Sequence, residues 1–551
     1  MRRPRASFVA IAVTLLLAVS VPPASSQEDQ LQRLIDAACS IPPRYLERTL
    51  NGYRPDRVPE IQILAREPDW AGSNGLPHSG PYDYVQEVPM FWYGPGWVPA
   101  VGEVGRRVTL ADIAPTQAGL LDFDFHAPDG EALPEVLSIA SERQDRPALI
   151  VTIVWDSAGN NVLREHPDAW PELRALIDEG VWFTKAEVAS SPPATAQIHA
   201  TIGTGAFTGR HGLTSHHIRM GHRVTKPYEL GPRYLMLPTL ADLYDRALGN
   251  RPIVGLSGST VTHIGMMGHG RLWGGGDKDI TVIRELEGAE TLGAEGIEWN
   301  LLGKLKPYYR FAPYANDLPP ITTYFDEVDR HDGALDGTWF GTEIASAETL
   351  QGFHTPARIP YQNRLIREML EREGFGDDDV TDLFFINHKL IDHIGHVDSM
   401  NSEEMEDSVK TEDAALADLI DLLDREVGEG RWVLTLTADH GSTPDPNVSG
   451  ADVIAQFALE RALHERFDND GDDISTIDSV QPNGIFVNEL ELKEEGATLE
   501  DVSAFLLDLT KGDVGAEKWP VDPASRDEPA LMAAYPSRLL EDLPCLPAGE
   551  D

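Results

Sequence analysis

Cysteine is almost missing from this sequence. There are two in 551 residues, Cys39 and Cys545, near opposite ends of the chain. So few leave two readings, a single disulfide or two separate thiols. Positive charge is scarce as well. Lys and Arg number 45 against 90 Asp and Glu, for a net charge of −45. That balance excludes binding to a nucleic acid backbone by electrostatics and reads as a solvated acidic surface. Long apolar runs are lacking too. Beyond residue 26 no segment approaches the roughly 18 apolar residues that a membrane span needs. Internal repeats and low-complexity tracts are absent.

What is present begins with Met1–Ser26, which reads as a secretory signal. Arg2, Arg3 and Arg5 form a charged start, Phe8–Val21 a short apolar run, and Ala24, Ser25 and Ser26 a small-residue cleavage site. The apolar run is too short for a comfortable span, and an uncleaved anchor is the alternative. The mature protein is therefore expected to be exported and soluble, with no stable membrane span. In that setting the cysteine pair reads as a Cys39–Cys545 disulfide, which brings the two ends of the chain together.

The rest divides by pattern. Residues 27–60 read as an N-terminal arm. Ile61–Leu64 and Val88–Tyr93 read as strands and Leu110–Leu121 as a helix. Ala148–Trp155, ALIVTIVW, is the unbroken β-branched run of a strand buried on both faces of a parallel sheet. Trp170–Glu179 reads as a helix stopped by Gly180. Pro252–Leu256, Leu383–Ile386 and Trp432–Thr437 read as further strands. A loop follows Ile386, and Ser402 caps a long amphipathic helix that runs to about Val427. Residues 268–348 mix Gly, Trp, Pro and acids without a period and are expected to form an inserted cap. Strands alternating with helices imply an α/β fold around a mostly parallel sheet.

In such sheets, sites form beyond the carboxyl ends of the strands. Asp156, the group Asp392/His396 and the pair Asp439/His440 all stand at or just past such ends. Asp and His are the donors that suit Zn²⁺ and similar borderline ions. The four-residue spacing of Asp392 and His396 lets one turn of backbone aim both at one ion. The stretch Ser190–Gly212, SSPPATAQIHATIGTGAFTGRHG, adds a hydroxyl, Thr195, in a turn of Pro and small residues ahead of a helical run.

Taken together, Asp156 after a strand, Thr195 four residues before His199, D-x-x-G-H ending at His396, and ADHG ending at Gly441 resemble the alkaline phosphatase superfamily. The type I phosphodiesterase/nucleotide pyrophosphatase-like branch is the nearest. The resemblance spans Ala148 to Pro444. It implies an alkaline-phosphatase-like three-layer sandwich and two divalent ions, expected to be Zn²⁺. Asp156, Thr195, Asp439 and His440 would hold one ion. Asp392, His396 and a further His, which the family supplies near its C-terminus, would hold the other. After His440 the only histidine is His464, in the helical pattern QFALERALHERF, where it reads as a surface residue. The family's closing pattern occurs instead near the start, as HSGPYDY at His78–Tyr84, then VPMFWYGPG, then a helix. The resemblance therefore implies a circularly permuted order, with residues 61–147 as the transposed piece of the core and His78 as the missing ligand. That order requires His78 Nε2 to lie beside the Asp392 carboxylate.

By the same resemblance Thr195 is the nucleophile and forms a phosphothreonine. The expected substrate is a small phosphate ester. Where the diesterases carry an Asn, this chain has Ile198, and Gln197 is the expected substitute for contact with the phosphate. The monoesterases carry a Lys-x-Arg pair after a Val-Ser strand, whereas VGLSGSTVTHIG has no Lys or Arg from Val254 to Gly265. A monoester has more charge to be met, so its absence favours a phosphodiester, with a phosphomonoesterase as the alternative. His216, His217 and His263 are further candidates for phosphate contact. A sulfatase is excluded, because no Cys or Ser stands in a C/S-x-P-x-R context. A non-catalytic secreted protein on the same fold would have lost ligands, and with His78 every position is filled. The acidic turn at residues 468–473 fails the calcium-loop pattern. The sequence carries no mark of oligomeric state.

Overall fold

The computed structural model describes residues 24–546, apart from 74, 274–278, 284–298, 300, 302, 345–354, 469–470 and 473. Most of the expected signal, part of the expected cap and half of the acidic turn thus lie outside the described residues. Among the described residues no helix is long and apolar enough to cross a membrane.

Eight strands make the central sheet: β1 Glu87–Tyr93, β2 Gly102–Thr109, β3 Leu149–Trp155, β4 Val181–Glu187, β5 Val254–Gly258, β6 Ile280–Ile283, β7 Asp382–His388 and β8 Trp432–Thr437. Their order is β6-β5-β7-β3-β8-β1-β4-β2. Every residue of β3, β7 and β8 is buried, so both faces of the sheet are covered, as the continuous apolar runs require. The pairings from β6 through to β8 are parallel. β1 is antiparallel to β8 and to β4, and β2 is parallel to β4, so β1 alone runs against the rest. The reversal has a use. The start of β1 lies beside the carboxyl end of β8, with Met90 opposite Thr437. The loop that enters β1 therefore arrives at the same edge of the sheet as the loops that leave its neighbours.

Four helices matter for the site: α1 Thr195–Thr204, α2 Arg358–Glu373, α3 Leu390–Val397 and α4 Glu403–Leu423. The Ser402 hydroxyl accepts from Met405 N–H and caps α4. The segment after β7, expected as a loop, is helical. Its apolar residues Leu390, Ile391 and Ile394 are buried, and that side holds the turn against the core.

A second, smaller unit differs from the expected division of the chain. Ile61–Leu64, expected in the transposed piece of the main core, lies inside a four-stranded sheet between Gly484–Val487 and Ala533–Pro536. Trp70–Gly72 pairs in parallel with Val453–Ala455. These segments share an apolar core of their own that includes Trp70, Leu459, Ile485 and Leu506. The helices Ala24–Ala38 and Pro43–Asn51 bring Leu34 and Leu46 against Tyr535 and Leu540. A Cys39–Cys545 disulfide joins the two ends, with Cα atoms 5.6 Å apart. Within the expected cap, residues 280–283 instead add the edge strand β6.

Candidate active site

Each loop at the carboxyl edge delivers one or two polar side chains. Asp156 follows β3 directly, Lys389 follows β7, and Asp439 and His440 follow β8 after one residue. Asp392 and His396 come from the first and last turns of α3. Thr195 opens α1, where the partial positive charge of a helix N-terminus favours a developing anion. His78 comes from the loop before β1. All of these are buried apart from the half-buried His396.

The tautomers of the three histidines follow from their partners, because a carbonyl only accepts. Nδ1–H of His78 donates to Pro193 O at 3.0 Å, that of His396 to Leu76 O at 2.7 Å, and that of His440 to Gly441 O at 3.1 Å. Each Nε2 lone pair is then free and points inward. His78 Nε2 lies 3.6 Å from Asp392 Oδ1, and His396 Nε2 lies 3.4 Å from the same oxygen. His440 Nε2 is 3.6 Å from Asp156 Oδ1 and 3.4 Å from Asp439 Oδ2.

Four of these inward atoms, Asp156 Oδ1, Asp392 Oδ1, Asp439 Oδ2 and His440 Nε2, have no hydrogen-bond partner. A buried acceptor without a donor costs on the order of 1–3 kcal/mol, more when charged. Several facing one another are therefore expected only where a cation takes them. The remaining carboxylate oxygens are occupied. Ser157 N–H donates to Asp439 Oδ1 at 3.0 Å, and Asn387 Nδ2 donates to Asp156 Oδ2 at 3.0 Å. Two donor groups, His78/Asp392/His396 and Asp156/Asp392/His440, have ligand atoms close enough to share an ion. Both fit a divalent ion with nitrogen and oxygen ligands. A third group, Asp156/His199/His263, is as compact but chemically spent. His199 Nδ1–H donates to Thr195 O at 2.8 Å, and Asn387 Nδ2 donates to its Nε2 at 2.9 Å. Ser259 N–H donates to His263 Nδ1 at 3.1 Å, so its Nε2 carries a proton.

Protonation follows the same logic. Burial raises Asp439, and the Asp156 carboxylate beside it adds to the effect, so it stands well above the usual carboxylate range. Burial acts the same way on Asp156 and Asp392, but the Lys389 ammonium overrides it and holds both low. Burial lowers His78 and His440 and keeps them in the neutral form that binds metal. Burial alone would also lower Lys389, but Asp156 and Asp392 outweigh it and hold the ammonium above its ordinary value.

Lys389 belongs to none of the sequence motifs and yet stands at the centre of the site. Its Nζ lies 3.0 Å from Asp156 Oδ2, 2.8 Å from Asp392 Oδ2 and 3.2 Å from Thr195 Oγ1. The available signal was its position, the first residue after an apolar strand and three before Asp392. Gln197 is a correction in the other direction. It is fully buried and does not line the cleft, which holds Thr195 and Ala196 instead. Two residues along a helix is about 200° of rotation, so Gln197 faces away from the side that Thr195 faces. The cleft encloses about 670 Å³ and is also lined by His78, His216, His217, Lys389, Asp392 and His396. His263 packs against Asp156, with Nε2 3.6 Å from Oδ2, and does not line the cleft. His464 pairs at 2.9 Å with Asp468, the residue that follows its helix Gln456–Phe467.

A mostly parallel α/β sheet with an Asp/His donor set around a threonine at its carboxyl edge defines the architecture of the alkaline phosphatase superfamily. Residues 150–541 match the family described as Type I phosphodiesterase / nucleotide pyrophosphatase, and the chain belongs to that family. It is similar to alkaline phosphatase PafA of Elizabethkingia meningoseptica, 26% identical over 333 residues, or 54% of this chain and 60% of that protein. Similarity extends to alkaline phosphatase PhoV of Synechococcus elongatus, 24% identical over 348 residues, 56% of this chain and 62% of that one. A protein of Myroides odoratus described as a calcium-transporting ATPase is 23% identical over 344 residues, again 56% and 62%. The chain thus spans about six tenths of the length of these curated relatives. The crystal structure of wild-type PafA shares the fold, with a TM-score of 0.51 at 17% identity, covering 66% of this chain and 76% of that one.

Proposed function

We propose that this chain is an exported, metal-dependent phosphoric ester hydrolase with Thr195 as its nucleophile. The observation that carries the reading is the set of four partnerless buried ligand atoms on carboxylates and a histidine that face one another, with Lys389 linking Asp156 and Asp392 to the Thr195 hydroxyl. Asp156, Thr195, Asp439 and His440 would hold one ion, and Asp392, His396 and His78 the other. The donor chemistry favours Zn²⁺. Divalent ions there supply the positive charge that makes a threonine hydroxyl a nucleophile near neutral pH and offsets charge on the phosphoryl oxygens. The chain's own groups do the rest. The Thr195 hydroxyl loses its proton to water in the cleft, and Oγ1 bonds to phosphorus. The ester oxygen departs with its bonding pair. Water then cleaves the Oγ1–P bond, which frees the phosphoryl group and restores the hydroxyl. The buried Nδ1–H contacts fix the histidine rings, so their Nε2 atoms need no reorganisation.

The N-terminal signal pattern supports export. The pairing of residues 61–72 with strands from the far end of the chain, and the position of His78, support a circularly permuted order of the family fold. The expectation of a diester rested on a missing cation, and Lys389 supplies a cation from another strand.

The test is metal analysis of the purified protein together with hydrolysis of aryl phosphate mono- and diesters. Thr195→Ala should keep its metal and lose turnover by about 10³-fold or more. Turnover that survives in Thr195→Ala overturns the nucleophile, and a wild-type protein inert with every added metal overturns the hydrolase.

A further inference from the structure

An ammonium group has three donors, and Lys389 has an acceptor for each: Asp156 Oδ2, Asp392 Oδ2 and Thr195 Oγ1. The carboxylate oxygens it takes are not those left over for an ion. The partnerless atoms are Asp156 Oδ1 and Asp392 Oδ1, and these face the Nε2 atoms of His440, His78 and His396. Each of the two carboxylates thus offers one oxygen to the lysine and the other to the histidine side. A lysine that merely filled an ion's place would sit against the Oδ1 atoms instead. The side chain is nearly buried yet lines the cleft, so it meets both the carboxylates beneath and whatever binds above.

We propose that Lys389 is a catalytic residue, a fixed cation that remains beside Thr195 with the ions bound and selects phosphomonoesters over phosphodiesters. The proposal rests on the hydrolase reading above. With Asp439 ionised on its ion, two divalent ions leave one surplus positive charge over Asp156, Asp392 and Asp439. Lys389 makes that surplus two, which is the charge of a monoester dianion. An oxygen of a phosphoryl group attached to Thr195 lies two bonds beyond the Oγ1 atom that Lys389 already touches. A preorganised, charged donor at such a position acts strongly because it need not reorganise. The chain thereby meets the extra charge of a monoester without any Lys or Arg in the stretch from Val254 to Gly265.

The experiment compares wild type with Lys389→Met in three measurements: metal content, binding of inorganic phosphate by calorimetry, and kcat/KM for an aryl phosphate monoester and diester. The expected result is unchanged metal content and phosphate affinity weakened by about 10-fold or more. Monoester kcat/KM should fall on the order of 10²–10³-fold and diester kcat/KM by at least about tenfold less. A gain of one metal ion per chain in Lys389→Met, or equal losses on both esters, overturns the proposal. If Lys389→Met does not fold, Lys389→Gln keeps hydrogen bonds to the carboxylates while removing the charge, and is read the same way. A wild-type protein that hydrolyses neither ester refutes the hydrolase reading instead, so the two failures are distinct.

Discussion

At the scale of single residues, the site depends on which nitrogen of a histidine carries its proton. His78 shows this most clearly, since its contact with Pro193 O leaves Nε2 to Asp392. His78→Ala is expected to lower bound metal from two ions per chain to about one and to cut turnover on the order of 10²-fold. Elemental analysis of the folded variant checks it. His211 is a histidine of another kind, away from the ligands. Leu213 N–H donates to its Nδ1, and its Nε2–H donates to the Thr201 hydroxyl. Burial pushes it down from 6.5 to about 3. Below about pH 6.5 the unfolded chain binds a proton there that the folded chain refuses. Its contribution to stability is therefore whole above that pH and drains away as pH falls towards about 3, at about 1.4 kcal/mol per pH unit. His211→Gln should flatten the fall in thermal midpoint between about pH 7 and about pH 5, and an unchanged slope would show that other groups set it. Legibility at this scale was uneven. Asp156, Asp439 and His440 could be read because polar residues ending apolar runs are conspicuous. Lys389 could not, because a lysine after a strand usually meets water. Gln197 was misread because neighbours in sequence are not neighbours around a helix.

At the scale of elements, the turn after β8 is held by a close approach that leaves no room for a side chain. Gly441 N–H donates to Val85 O at 3.0 Å, and a Cβ on Gly441 would lie 2.1 Å from Tyr84 O. That approach ties the segment leading into β1 to the turn that bears Asp439 and His440. Gly441→Ala is expected to destabilise by about 1–3 kcal/mol or more and to lower metal affinity with it. Gly105→Ala in β2, where a Cβ meets nothing within 4 Å, should change stability by no more than about 0.5 kcal/mol. Denaturant midpoints of the two variants, alongside metal titration, decide the matter. The long elements were legible because their periods are strong: β3 is apolar throughout, and α4 carries its own cap. The smaller sheet was not. Its strands are only four or five residues long, and Ile61–Leu64 pairs with strands more than 400 residues further on. No local pattern announces that pairing.

At the scale of the whole molecule, the two ends of the chain are built into one unit. The N-terminal helices pack on the strand Ala533–Pro536, and the disulfide spans 506 residues of sequence. A cross-link that closes so long a loop stabilises chiefly by constraining the unfolded chain, typically by about 2–5 kcal/mol. Cys39→Ser with Cys545→Ser should lower the thermal midpoint by several degrees and speed proteolysis of the helices Ala24–Ala38 and Pro43–Asn51. An unchanged midpoint would mean that packing alone holds the ends. The pairing was legible because only two cysteines exist, whereas the packing that accompanies it was not.

That bond also alters what a cut does. Between Cys39 and Cys545 the protein is a closed loop, so a protease that severs any one peptide bond in it opens the loop without releasing a fragment. The nicked protein would run as a single species until a reductant is added and as two pieces afterwards. Two cuts are needed to lose any part of the loop.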